Sequence, residues 1–191
     1  MQVRLDKRAR IIADGGQAYP VDLLRDHTLV QVRQKYTDDT GELTLAPGEE
    51  TTDEVTVGGR VVFVRNTGKL CFASLQDGFT ETSNGERLQI MLSKAEVGDE
   101  SLAAWKSDVD LGDHVWVRGR VVVSRRGELS IMAAEWRMAS KALRPLPTLH
   151  KELSEETRVR RRYADLVVRE ESRQMVRTRA LISRAVRRAL D

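Results

Sequence analysis

A single cysteine, Cys71, occurs in the 191 residues, so no disulfide can form within the chain, and a reducing cytosol suits it. The three histidines, His27, His114 and His150, are too scattered to suggest a metal site. Aromatic residues make up only 5% of the chain. No apolar run approaches the roughly 18 residues that a membrane-spanning helix needs. The opening stretch, MQVRLDKRARIIADGG, carries charge where a secretory signal needs its apolar centre, which argues against secretion. No glycine-rich phosphate loop is present. These absences lead to the expectation of a cytoplasmic chain with no cofactor or metal of its own.

What is present supports one ordinary domain and a substantial appendage. Hydrophobic residues make up 40%, enough for a core, and charged residues 32%. The net charge of +3 is unevenly spread. Residues 1–52 carry 7 basic and 9 acidic side chains, residues 53–140 carry 11 and 13, and residues 141–191 carry 14 and 7. A fold that gripped nucleic acid without selectivity would wear its basic surface on the binding module itself. The middle of this chain is slightly acidic, so any recognition of nucleic acid there must rest on particular residues.

Residues 3–13 have the pattern of a short amphipathic helix closed by Gly15-Gly16. Thr28 is placed to cap a second one over 29–36, and residues 38–52 read as a mobile polar loop. From Val55 the pattern becomes β. Residues 60–64 alternate, Asn66-Thr67-Gly68 forms a turn, and residues 69–75 return as a second strand. A loop over 79–86 with Asn84-Gly85 as its turn signal leads to a third strand at 87–92. A helix over 97–108 precedes a fourth strand at 113–124, and Arg125-Arg126-Gly127 turns into a fifth at 128–138. Three strands, a helix and two strands is the order of an OB-fold barrel, which binds oligonucleotides across strands 2 and 3 and the flanking 1–2 and 4–5 loops. The expected class is mainly β with flanking helices. A five-stranded OB-fold barrel is preceded by short N-terminal helices and followed by a hinge and C-terminal helices. Lys141 to Pro147 reads as a proline-stiffened linker. A helix opens at Ser154 and runs to about Val168, and a last one covers 170–190 with a partial apolar stripe that needs a partner. It reads as cut.

On such a barrel four residues stand out as candidates for reading RNA. Phe72 lies on the second strand, where a ring can carry a stacked base, and a place in the core is the competing assignment. Arg65, at the end of the first strand, has a fork suited to base carbonyls, although most surface arginines are simply solvated. Gln89 can donate and accept together; an ordinary outward strand residue looks the same. Glu128 follows the 4–5 turn, where a carboxylate repels phosphate and suits only a base N–H. None of the four is persuasive by itself.

Four strings, GKLCFASLQD (68–77), RGELSI (126–131), SKALRPLP (140–147) and RRRYADL (160–166), occur in an order and at separations that resemble the class II lysyl-tRNA synthetases. The similarity runs from about residue 3 to the end. It implies that the OB domain binds the uridine-rich anticodon of lysine tRNA. Phe72 then matches the stacking aromatic, and Arg65, Gln89 and Glu128 match residues that read base edges. Uridine offers two carbonyls, suiting Arg65 and Gln89, and one N3–H, suiting Glu128. The 79–86 loop departs from the tighter turn of the family. The resemblance further implies a lead-in at 1–52, the anticodon-binding domain at 53–140, a hinge at 141–169 and the start of motif 1 at 170–191. Motifs 2 and 3 lie outside the chain. The complete enzyme is then a cytoplasmic homodimer that uses ATP and Mg²⁺ to attach lysine to tRNA, while these residues alone catalyse nothing. The alternatives are a stand-alone OB protein for single-stranded nucleic acid and the synthetase-like part of a lipid-lysylating fusion.

Overall fold

Valine-rich alternation in the middle of the chain produces five strands, and the strands close on themselves as a barrel in the order β1-β2-β3-β5-β4. They are β1 (Glu50–Thr67), β2 (Leu70–Gln76), β3 (Arg87–Ser93), β4 (His114–Val123) and β5 (Leu129–Ser140). The computed structural model describes residues 1–78, 85–147 and 153–190, so residues 79–84 of the expected loop and His150 fall outside it. Every pairing is antiparallel except that of β3 with β5. Inward residues such as Val57, Val61, Leu75, Ile90, Val117 and Ile131 are fully buried and fill the barrel. Each contributes about 1.5–3 kcal/mol relative to exposure. Cys71 is among them; its burial pushes the thiol pKa up, and it packs as a small apolar residue.

Two elements differ from the expected pattern in ways that have local causes. The first strand starts at Glu50, inside the stretch read as loop, because its polar start pairs with β4. There Arg118 bridges Glu54, and Arg120 bridges Glu50 at 3.1 Å. The helix expected over 97–108 is two, α3 (Lys94–Val97) and α4 (Asp99–Asp108), divided by Gly98 at φ +83°. A φ of that sign suits glycine and interrupts the helical run. On α4, Leu102 and Trp105 are buried, and Trp105 meets Trp136 of β5 edge to face at 5.1 Å.

The N-terminal helices form as expected, α1 (Gln2–Ala13) and α2 (Leu29–Lys35). Thr28 and Gln31 close a reciprocal capping box on α2, which buries Leu29 and Val32 in the barrel core. Helix α1 is tied down by polar contacts: Lys7 pairs with Asp110 at 2.8 Å, and Arg4 donates to the carbonyl of Leu111 at 2.8 Å. Beneath it, Lys141 is fully buried, with Nζ 2.6 Å from both Asp110 and Asp113 and 2.7 Å from the carbonyl of Asp108.

His114 sits at the start of β4 opposite Arg60 of β1. Burial and the charge of Arg60 push its pKa from an ordinary 6.5 to about 4, with Asp113 opposing. Between those values the unfolded chain binds more protons than the folded one, so stability is complete above about 6.5 and falls as the pH drops toward 4. Carboxylates held low by hydrogen bonds and charge, such as Glu96 with Arg120, lose their contribution only at lower pH. Melting midpoints measured across this window should fall with pH in the wild type and stay nearly flat in His114→Gln.

The chain divides into two compact units, Met1–Asp77 with Glu86–Pro145, and Gly78–Gly85 with Leu146–Asp191. The second holds three described helices. The single helix expected from Ser154 to about Val168 is broken at Arg161 (φ −119°, ψ 52°) into α5 (Glu155–Arg160) and α6 (Arg162–Val168). The elbow from α6 into α7 (Glu170–Leu190) is built on buried Asp165, which accepts from Ser172 at 2.6 Å and Arg162 at 2.9 Å. On α7 the apolar residues Met175, Leu181, Ile182, Val186 and Leu190 are exposed. Among the described residues no helix is long and apolar enough to cross a membrane.

Candidate nucleic-acid interface

The site begins with a change of phase in β1. Up to Val61 the odd-numbered residues Val55, Val57 and Val61 face the core. Val62 is an extra residue in the β1–β2 ladder, where Val61 pairs with Leu75 and Phe63 already pairs with Ser74. Such a bulge turns all later side chains over. Val64 therefore packs against the core, and Phe63 and Arg65 face outward, while the extra residue Val62 is buried outside the core cluster. Without it Arg65 would point into the barrel.

On β2 the alternation is regular. Cys71, Ala73 and Leu75 are buried, while Phe72 and Ser74 face outward, so Phe72 is not a core residue. Arg65 lies directly across from Phe72 in the register, and its guanidinium sits 4.8 Å from the ring centroid. This planar cation on an aromatic face occupies the free ring as a base would. Among the described residues Arg65 has no carboxylate partner to hold it there.

Gln89 on β3 pairs with Ser74 on one side and Ser130 on the other. Its Nε2 donates to the Ser130 hydroxyl at 2.8 Å, and that hydroxyl donates to the Glu128 carbonyl at 2.9 Å. The relay fixes which way the amide points, leaving Oε1 and the second N–H of Gln89 for a ligand. Glu128 follows the β4–β5 turn, where its N–H donates to Ser124 Oγ at 3.0 Å and its carboxylate is half exposed. From α2, Arg33 reaches across with Nε 2.7 Å from Glu86 and a terminal nitrogen 3.8 Å from Glu128.

All four residues singled out from the sequence, Arg65, Phe72, Gln89 and Glu128, line one cleft of about 950 Å³. Phe63, Arg33, Arg87, Arg125 and Arg126 line it too and were missed. Arg125 and Arg126 were legible only as a turn, and Arg33 only as part of a helix. Five arginines against two glutamates make this cleft basic on a domain whose acids outnumber its bases, a local field suited to a phosphate backbone. A flat ring, a guanidinium fork, an oriented amide and a carboxylate in one basic cleft match the needs of a splayed single strand: stacking, carbonyl recognition and N–H recognition. Among the described residues no cluster of three or more His, Cys, Asp or Glu could hold a metal ion.

Comparison with known proteins agrees with this geometry. Residues 55–139 match the family of tRNA anticodon-type domains described as an OB-fold nucleic acid binding domain. The whole chain is 59% identical to a lysine–tRNA ligase of Kineococcus radiotolerans, of which it spans 36%. It is 55% identical over 190 residues to a lysine–tRNA ligase of Mycolicibacterium gilvum, again spanning 36% of that protein. At 36% identity it also aligns over its full length with 15% of the lysylphosphatidylglycerol biosynthesis bifunctional protein LysX of Rhodococcus jostii. The barrel matches the OB-fold nucleic acid binding domain of the tRNA anticodon type, in a chain that is similar over its whole length to about a third (36%) of the length of lysine–tRNA ligases.

Proposed function

We propose that this chain is the anticodon-reading portion of a class II lysyl-tRNA synthetase and binds the anticodon loop of lysine tRNA. The observation that carries the reading is the convergence of Arg65, Phe72, Gln89 and Glu128 on one outward, basic cleft. In this reading Phe72 carries a stacked base once Arg65 swings off the ring to a base carbonyl. Gln89 meets a second carbonyl with its free N–H, and Glu128 accepts from the uridine N3–H. The surrounding arginines hold phosphates and set orientation.

The complete ligase would be a cytoplasmic homodimer, with the exposed apolar face of α7 covered at the dimer interface. ATP and Mg²⁺ would supply lysine activation in the rest of that enzyme, and these 191 residues by themselves would be non-catalytic. Identity of 59% with a ligase against 36% with the bifunctional lipid-lysylating protein favours the plain synthetase.

The test is affinity for a lysine anticodon stem-loop against the same stem-loop with its anticodon replaced, at one fixed salt concentration. Each lost base-edge contact should cost about 1–3 kcal/mol, so the replaced loop should bind at least tenfold more weakly. Equal binding to both loops would replace this reading with that of a non-selective single-strand binder.

A further inference from the structure

Among the large hydrophobic residues of the five strands, only Phe63 is exposed, at 54% of its surface, while others of its size in the strands face the core or are half covered. The extra residue Val62 puts it there, interrupting the β1–β2 ladder and forfeiting the burial a ring would gain inside. Arg65 is turned outward by the same bulge, so the device that creates the first subsite also presents a second ring to the cleft.

The register arranges the outer face in two rows. Arg65, Phe72 and Met91 form one; Phe63, Ser74 and Gln89 form the next. Each row contains one phenylalanine and at least one polar side chain able to hydrogen-bond a base edge. Phe63 and Phe72 are diagonal neighbours across an antiparallel pair, a relation that sets side chains about 7–8 Å apart. That separation suits two successive bases of a single strand that have been unstacked from each other. The Ser74 hydroxyl lies between ring and amide in the second row, in reach of a base edge or ribose.

We propose that Phe63 is a second stacking subsite, which takes the nucleobase of the nucleotide adjacent to the one on Phe72, with the Ser74 hydroxyl directly across from the ring to meet its edge or ribose. The proposal rests on the reading of the cleft as an anticodon reader. Stacking tolerates any base, so Phe63 adds affinity and fixes the splayed path of the strand, while selectivity stays with Arg65, Gln89 and Glu128 around the base on Phe72.

The experiment uses the full 191-residue chain with lysine anticodon stem-loops that are intact or abasic at one anticodon position, measured against wild type, Phe63→Ala, Phe63→Trp, Phe63→Leu and Phe72→Ala. Phe63→Ala should weaken binding of the intact loop roughly five- to a hundredfold. That penalty should vanish for one abasic loop, whose missing base neighbours the one that erases the Phe72→Ala penalty. Phe63→Trp should bind like wild type and Phe63→Leu like Phe63→Ala. Several outcomes would overturn the subsite: wild-type affinity of Phe63→Ala, a penalty that persists for every abasic loop, a penalty erased at the same position as that of Phe72, or equal binding by the Trp and Leu variants. Equal wild-type binding to altered anticodons would defeat the anticodon reading instead, and the Phe63 comparisons would still decide whether a second base is stacked.

Discussion

Phe72→Ala should lower affinity for the lysine anticodon stem-loop by about 1–3 kcal/mol, roughly five- to a hundredfold, while leaving the barrel folded. The ring is partly buried and lies outside the core cluster, flanked on β2 by buried Cys71 and Ala73 that hold the strand in place without it. Truncating a core phenylalanine costs about 3–5 kcal/mol of stability, so a much smaller change in melting midpoint separates a binding residue from a packing one. Two losses combine in the variant. The base loses its platform, and Arg65, now stacked at 4.8 Å on the ring, loses the contact that confines it before RNA arrives. A double-mutant cycle with Arg65→Gln divides them: if Arg65 is prepared by the ring, its removal should cost less in the Phe72→Ala background than in the wild type. Strictly additive losses would mean that the two residues act on the RNA independently. Binding unchanged in Phe72→Ala would remove the central residue of the proposed reader.

Strand order follows from local alternation, which is why it was legible. The choice between core and outer face for Phe72 stays open in the sequence and is decided by the burial of Cys71, Ala73 and Leu75 on its strand. Alternation with period two needs no knowledge of the partner strand. The phase of β1 is different in kind. VVFV at 61–64 reads as a uniform apolar run, and which of these residues turns outward depends on the extra residue in the ladder to β2. Phe63 was therefore passed over as strand, and Arg65 was picked for its fork and its position at the strand end. Ser130 was missed for a similar reason: its value lies in joining Gln89 to the Glu128 carbonyl, a relation made by the β3–β5 pairing alone. Gly98 was visible as a glycine, yet the helical spacing of Leu102 and Trp105 hid the break it makes. Arg161 carries no local breaking signal at all, and the elbow after it depends on buried Asp165. Least legible was Lys141, in a proline-flanked string that reads as linker, because nothing local announces a lysine with no exposed surface.

Lys141→Met should cost the barrel about 3 kcal/mol or more, at the lower end of the 3–5 kcal/mol typical when one member of a buried ion pair is removed. The methionine keeps the length and apolar stem of lysine, so the loss isolates the ammonium. In the wild type that group is fully buried and satisfied by Asp110, Asp113 and the Asp108 carbonyl, at 2.6, 2.6 and 2.7 Å. Asp113 is fully buried as well, and it also accepts from the backbone N–H groups of Asp110 at 2.7 Å and Ala142 at 2.8 Å. Those two donors survive the substitution and soften the penalty for the stranded carboxylate. They also block the usual escape of replacing both partners by apolar groups, since Asp113→Leu would leave both amides unpaired in the interior. The double variant Lys141→Met/Asp113→Leu should therefore be no more stable than Lys141→Met, whereas Asp113→Asn in the Lys141→Met background, neutral but still an acceptor, should recover part of the loss. Chemical denaturation of the four proteins measures this directly. Since domains are stable by only about 5–15 kcal/mol, the single variant should unfold at a visibly lower denaturant concentration. A midpoint equal to the wild type would mean that the buried ammonium contributes nothing net. A double variant that regains wild-type stability would show that the two backbone amides find other acceptors.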